Sequence, residues 1–355
     1  MDGHRPLQIE VLINSPGPHD QVRVRDPFLA LQQLGVDCRI HERPFRFNSC
    51  IRPHSLVIWQ RPLPESRQRQ WEHLQWLRQR GCLLLTEWDD HLRLFPQKVQ
   101  WELARLQLAP LELCHGIHTS SSQLAEALRQ VNPVALVLDN NLAEIPALNL
   151  HKHSTGNKFR IFIGNQNRTQ EHEELIDQLL EWLKEDQNLQ LVIVGSNELI
   201  KKMPSERIET HTIQPYSSYR KLLQSCHISL LPLNKNLANR CKTPIKWLES
   251  IAESVAVVAG PELYNRLPPG SNLQLVANCK EIIPLAIKLR QNSEMIKNQV
   301  KAAHQQVWEW QDQFNLRIWL YEQIWKRRKA LDNKMLNRLA SCKGLPATYS
   351  NEFKI

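Results

Sequence analysis

The chain has 355 residues, 42% of them hydrophobic and 23% charged, which supports a sizeable core and two domains of roughly 150 residues rather than a disordered chain. The net charge of +9 favours anionic partners, but seven Lys and Arg between Lys326 and Lys343 face a single acid, Asp332, so the excess gathers in a basic C-terminal tail and no nucleic-acid groove through the body is required. Eight scattered cysteines without a C-x-x-C pair argue against a disulfide framework or a zinc site, and no apolar run approaches the roughly 18 residues of a membrane span, so a cytoplasmic protein is expected.

From the N-terminus, "LQIEVLIN" reads as a strand, "RVRDPFLALQQLG" as a helix stopping at Gly35, and "VDCRIHE" as a second strand. "SLVIWQRP" is a third strand, "ESRQRQWEHLQWLRQRG" an amphipathic helix, and "CLLLTEW" a fourth strand. "GIHTS", the helical "SSQLAEALRQVN" and "VALVLDN" continue the alternation. Continuous apolar strands alternating with helices predict a parallel sheet covered on both faces. The pattern stops at "EIPALNLHKHSTGNK", a polar, Pro-containing linker, and restarts with "FRIFIG", "TQEHEELIDQLLEWLKEDQ", "LQLVIVG", "IETHTI", "SSYRKLLQSC", "HISLLPL" and "VAVVAG". The segment from Lys280 to Lys329 reads as helical throughout. The expected fold class is α/β, two Rossmann-like domains facing across a cleft with C-terminal helices. Its expected parts are a domain at 1–145, a linker at 146–157, a domain at 158–300, helices at 301–330 that return to brace the first domain, and the basic tail at 331–355.

Ligands of such sheets sit beyond the carboxyl ends of the strands. Between "HISLLPL" and "VAVVAG" lies a helix with Thr243 suited to cap it and Pro244 suited to its first turn. Ile245, Leu248, Ile251, Ala252 and Val255 form one apolar stripe, and Lys242, Lys246 and Glu249 fall on the opposite side. A cation near the helix start suits a diphosphate, and a carboxylate further in suits sugar hydroxyls. The alternative is a solvated stripe with Lys246 and Glu249 ion-paired. Gly164-Asn165-Gln166-Asn167-Arg168 follows a strand, with Gly164 permitting close backbone approach to a phosphate and Arg168 able to clamp it. "EWDDH", Glu87 to His91, ends a first-domain strand. Its Asp89 and Asp90 suit acceptor hydroxyls or general-base work, or else cap the next segment. Arg23 and Arg25 flank the first helix start, where an anionic acceptor or a donor phosphate could sit. "HKH" at 151–153 lacks further ligands for a metal.

"HISLLPLNKNLANRCKTPIKWLESIAESVAVVAG" resembles the donor segment of GT-B glycosyltransferases of the retaining family-4 type. "VRVRDPFLALQQLGVDCRI" is similar to the first acceptor-domain helix, "LLTEWDDHLRLFP" to the acidic loop of a subgroup, and "HTSSSQLAEAL" to the stretch after it. "LVLDNNL" resembles the "PNG" turn before the linker, and "RIFIGNQNRTQEHEELIDQLL" the opening of the donor domain. The likeness spans roughly residues 8–330. Glu249 matches the second of two family glutamates, and Cys241 stands where the first would be. Ser254 and Ala256 replace the usual Gly and Pro, and Asp139-Asn140-Asn141 replaces "PNG".

The resemblance implies metal-independent transfer of a sugar from a nucleotide-sugar co-substrate to a glycan, lipid or small-molecule acceptor, with no resident cofactor. Gly164, Asn165, Arg168, Lys242, Thr243, Lys246 and Glu249 would then hold the donor. Asp89 and Asp90 would be catalytic, and Arg23 and Arg25 would meet acceptor or phosphate. A second reading, carried by Cys241, Ser254 and Ala256, is a GT-B-like binding or regulatory subunit. "KRRK" at 326–329, beside Trp319 and Trp325, could rest on anionic headgroups at the inner membrane face.

Overall fold

The computed structural model describes residues 6–154, 158–165, 169–195, 206–267, 273–307 and 310–341. The chain divides into two compact units. One holds residues 1–143, 241–243 and 310–355, and the other 144–240 and 244–309.

The first unit is built on a six-stranded parallel sheet in the order β2-β1-β3-β4-β5-β6. Its strands are β1 (Gln8–Ile13), β2 (Asp37–Glu42), β3 (Leu56–Gln60), β4 (Leu83–Glu87), β5 (Gly116–Thr119) and β6 (Ala135–Val137). Every residue of β3 and β4 is buried, which is why both read as unbroken apolar runs, while β2 at the edge alternates. Ile9, Val11, Ile13, Leu56, Ile58, Leu83 and Leu85 pack with Phe28 and Leu31 of the Asp26–Gln33 helix. Tyr321 and Trp325 of the Trp310–Lys326 helix complete this cluster, and Tyr321 stacks on Phe28 at 5.9 Å.

The expected basic tail is corrected in part. Residues 331–341 lie within a further helix, Arg328–Ser341, and 342–355 fall outside the described residues. This helix docks by polar contacts that leave little apolar signal in the sequence. Arg338 donates to the carbonyls of Glu112 and Cys114 at 2.6 and 2.9 Å, and Asp332 takes a bidentate pair from Arg78 as well as a bond with His115. Its basic residues therefore partly serve the fold.

The second unit carries a six-stranded parallel sheet in the order β12-β11-β10-β7-β8-β9. These are β7 (Phe159–Asn165), β8 (Leu189–Gly195), β9 (Ile208–His211), β10 (Ile228–Leu231), β11 (Ala256–Ala259) and β12 (Gln274–Leu275). Alternation separates the two faces. Ile161, Ile163, Leu191 and Ile193 pack with the Ile282–Arg290 and Ser293–His304 helices, whereas Phe162, Val192 and Val194 pack with Leu223, Cys226 and Val255. The helix expected over 169–187 is two, Thr169–Glu173 and Ile176–Glu185.

The linker is bound to this unit. Lys152 donates to the carbonyls of Glu253 and Gln224, His153 to that of Ser254, and the Asn149 amide to the Ser254 hydroxyl at 2.9 Å.

Candidate functional site

In the second sheet β7 is followed by β8 and β9 on one side, and the chain then crosses to β10 and β11 on the other. The switch lies between β7 and β10, where open parallel sheets leave a ligand crevice beyond the strand ends. Gly164 stands at the end of β7. The Ile245–Ala252 helix, which follows β10, brings Lys246 to it, and Lys246 Nζ donates to the Gly164 carbonyl at 2.7 Å. A Cβ on residue 164 would lie 3.2 Å from Lys246 Nζ and 3.2 Å from the Phe162 ring, so glycine is what admits the lysine this close. Glu249, one turn further along, is only 6% exposed and accepts from the Tyr219 hydroxyl at 3.1 Å.

The solvated-stripe alternative therefore does not describe this face. Trp247, Leu248, Ile251 and Ala252 are buried on the apolar side, but Glu249 and Glu253 are buried too, the latter paired with Arg220 at 2.6 Å. Burial pushes the Glu249 carboxyl up from its ordinary range. Arg220, then Lys246, then the Tyr219 and Tyr216 hydroxyls act in the opposite direction. The result is a desolvated carboxylate and a cation one turn apart at the sheet's switch point, an arrangement suited to hydroxyls beside a phosphate.

The other expected donor residues lie differently. Thr243 does not cap the helix: its hydroxyl accepts from Asn140 Nδ2 at 3.0 Å, and Pro244 stands at the cap position. Lys242 is half-buried, and residues 241–243 group with the first unit, so Lys246 rather than Lys242 is the cation at Gly164. Asn165 closes β7, and Arg168 falls outside the described residues. Cys241 is fully buried.

In the first unit, the carboxyl ends of β3 and β4 gather charge of both signs. Asp89 is buried and accepts from Arg23 and, through both oxygens, from Arg61. A carboxylate whose lone pairs face two guanidiniums is a poor proton acceptor, so the geometry makes Asp89 a clamp rather than a base. Asp90 is half-buried, with one oxygen 3.5 Å from Arg61. Neither aspartate caps the next segment. His91 does, accepting from the Arg93 amide through Nδ1. Arg23 also lies 3.8 Å from Glu87, and Arg25 is held by Asp20 and Glu42, so both arginines already serve carboxylates of the fold instead of facing a ligand phosphate alone.

Sequence reasoning missed Arg61, Glu87 as an inner partner, and His19. Arg61 takes a left-handed φ of 43°, which turns it out of the strand line towards Asp89. Burial raises the Glu87 carboxyl, with Arg23 opposing. His19 is lowered to about 3 by burial, with Arg61 and Arg23 adding to it. A charged residue closing the apolar run "LVIWQR" was the available signal for Arg61. Among the described residues, no three His, Cys, Asp or Glu converge as a metal-ligand set, and no helix is long and apolar enough to cross a membrane.

No sequence-family model and no curated protein matches the chain. Solved structures match in fold. An alpha-glucosyltransferase in complex with UDP-glucose and DNA containing an abasic site is 10% identical, with a TM-score of 0.64 over 90% of this chain and 100% of that one. Anabaena HepE in complex with UDP and glucose is 12% identical, with a TM-score of 0.59 over 88% and 98%. S. aureus MnaA with UDP is 12% identical, with a TM-score of 0.50 over 88% and 97%. With two Rossmann-like sheets and these likenesses, the chain has the GT-B fold.

Proposed function

We propose that the protein is a glycosyltransferase that takes a sugar from a nucleotide-sugar donor held in the second unit. The observation that carries this reading is Lys246 held against the end of β7 with the buried Glu249 one helical turn further along, at the β7/β10 switch point. An ammonium carries three donors, so Lys246 can hold the end of β7 and a diphosphate oxygen together. Glu249 accepts from ribose or sugar hydroxyls. As the sugar leaves, charge grows on the diphosphate, and a fixed cation in a water-poor crevice stabilises that charge more than water would. On this reading transfer needs no metal, and retention of stereochemistry follows from the family resemblance.

Support also comes from the folds this chain shares. One of those proteins is an alpha-glucosyltransferase in complex with UDP-glucose, and HepE and MnaA are in complex with UDP. The acceptor is a glycan, a lipid or a small molecule, with Asp90 the group proposed to meet it. A lipid acceptor would suit a cytoplasmic protein resting on anionic membrane through exposed Lys326, Arg327 and Lys329.

A thermal-stability screen against UDP-, GDP-, ADP-, CDP- and dTDP-sugars tests the reading. A ligand at 100 times its Kd adds about 2.7 kcal/mol, and at least one donor is expected to do so with EDTA present. No stabilisation by any donor would contradict it, and stabilisation lost with EDTA would remove the metal-free part.

A further inference from the structure

Glu249 is useful to a ligand only if its carboxylate is held in one orientation, and the helix Tyr216–Gln224 is built to do that. Tyr216 and Tyr219 lie one turn apart with rings stacked at 6.2 Å and 19°. The Tyr219 ring also meets Phe162 of β7 edge-on, at 5.4 Å and 79°, which fixes it against the strand that ends at Gly164. From there its hydroxyl reaches Oε2 of Glu249 at 3.1 Å, and the Tyr216 hydroxyl bears on the same carboxylate. Arg220 completes the arrangement. It donates to the Tyr216 hydroxyl at 3.3 Å and lies 5.8 Å from that ring, and its guanidinium is anchored by Glu253 at 2.6 Å. Tyr216, Tyr219, Arg220 and Phe162 carry no signal of this role in the sequence pattern.

We infer that Tyr219, backed by Tyr216 and Arg220, is a positioning residue that aims the Glu249 carboxylate at the hydroxyls of the bound nucleotide sugar. Tyr219 acts through Glu249 and not on the ligand. The inference rests on the proposed donor site. A phenol that donates to a carboxylate leaves the other lone pairs for ligand hydroxyls and resists rotation about the carboxyl bond.

The same contact has a protonic consequence. Burial favours the protonated acid at Glu249, and the groups that face it (Arg220, Lys246, Tyr219 and Tyr216) favour the carboxylate. Binding that needs the carboxylate is therefore present above the raised pKa and lost as pH falls through it. Removing the Tyr219 hydroxyl removes one of the groups that holds the pKa down, so the loss begins at higher pH.

The test uses the full-length chain and its Tyr219→Phe variant, which keeps the ring against Phe162. The Glu249 carboxyl is followed by 13C NMR without ligand, identified by its disappearance in Glu249→Gln. Its midpoint is expected to move up in Tyr219→Phe. UDP-glucose titrations from pH 5 to 8 should show the same upward displacement. At neutral pH affinity should fall several-fold, with no further loss when Tyr219→Phe is added to Glu249→Gln. An unchanged carboxyl midpoint would overturn the positioning role. A displaced midpoint with no binding of any UDP-, GDP-, ADP-, CDP- or dTDP-sugar to the parent chain would keep the Tyr219–Glu249 coupling and instead overturn the donor-site reading on which its purpose rests.

Discussion

Asp89 and Asp90 are neighbours in sequence and opposites in environment. Asp89 is buried between Arg23 and Arg61, whereas Asp90 is half-buried with a longer contact to Arg61. Replacing one member of a buried ion pair leaves the others uncompensated, at a cost of about 3–5 kcal/mol. Asp89→Asn is therefore expected to lower the urea midpoint by that order. Asp90→Asn should leave stability within about 1 kcal/mol while reducing transfer. Paired urea and transfer assays check this, and an Asp89→Asn protein of parental stability would refute the clamp. The two aspartates looked alike in the sequence because their difference comes from Arg61, 28 residues away and brought there by the pairing of β3 with β4. Lys246 and Glu249 were legible because one turn of helix separates them. Tyr219 was not, because its 30-residue separation from Glu249 is closed by tertiary packing alone.

The turn that ends the Ile245–Ala252 helix shows how an element holds a non-glycine residue in a left-handed conformation. Ser254 adopts φ 58°, the left-handed conformation that glycine enters without strain. Its compensation is the linker: the Ser254 hydroxyl accepts from the Asn149 amide, and its carbonyl accepts from His153. Ser254→Ala keeps the strained φ and loses the bond from the Asn149 amide, so a loss of about 0.5–1.5 kcal/mol is expected by urea denaturation. Ser254→Gly exchanges the bond for conformational ease and should stay within about 1 kcal/mol of the parent. An alanine variant as stable as the parent would contradict this account. Strands were the most legible elements, since buried parallel strands are apolar throughout. The two-residue β12 carries too little pattern to read. Residues 331–341 of the Arg328–Ser341 helix read as tail because its docking relies on Arg338, Asp332 and backbone carbonyls, with Met335 buried among few apolar side chains.

At the scale of the whole chain, the alternation of strands and helices with one polar interruption was enough to read two α/β halves. The final helices are expected to return to the first domain, and residues 310–341 do group with the first unit; that residues 241–243 join them depends on packing and not on local pattern. The likenesses to solved structures, at 10–12% identity, establish the fold, and the proposed donor function rests on Lys246 and Glu249. The most direct test is a calorimetric titration of the parent and Lys246→Met with UDP and with uridine, repeated with GDP and guanosine. Methionine keeps the packing of the stem and removes the charge. A charge-assisted contact to a diphosphate is worth on the order of 1.5–3 kcal/mol, so nucleoside diphosphate should bind roughly 10- to 150-fold more weakly while the bare nucleoside is little changed. Equal diphosphate affinity in the two proteins would contradict the account and put the site elsewhere.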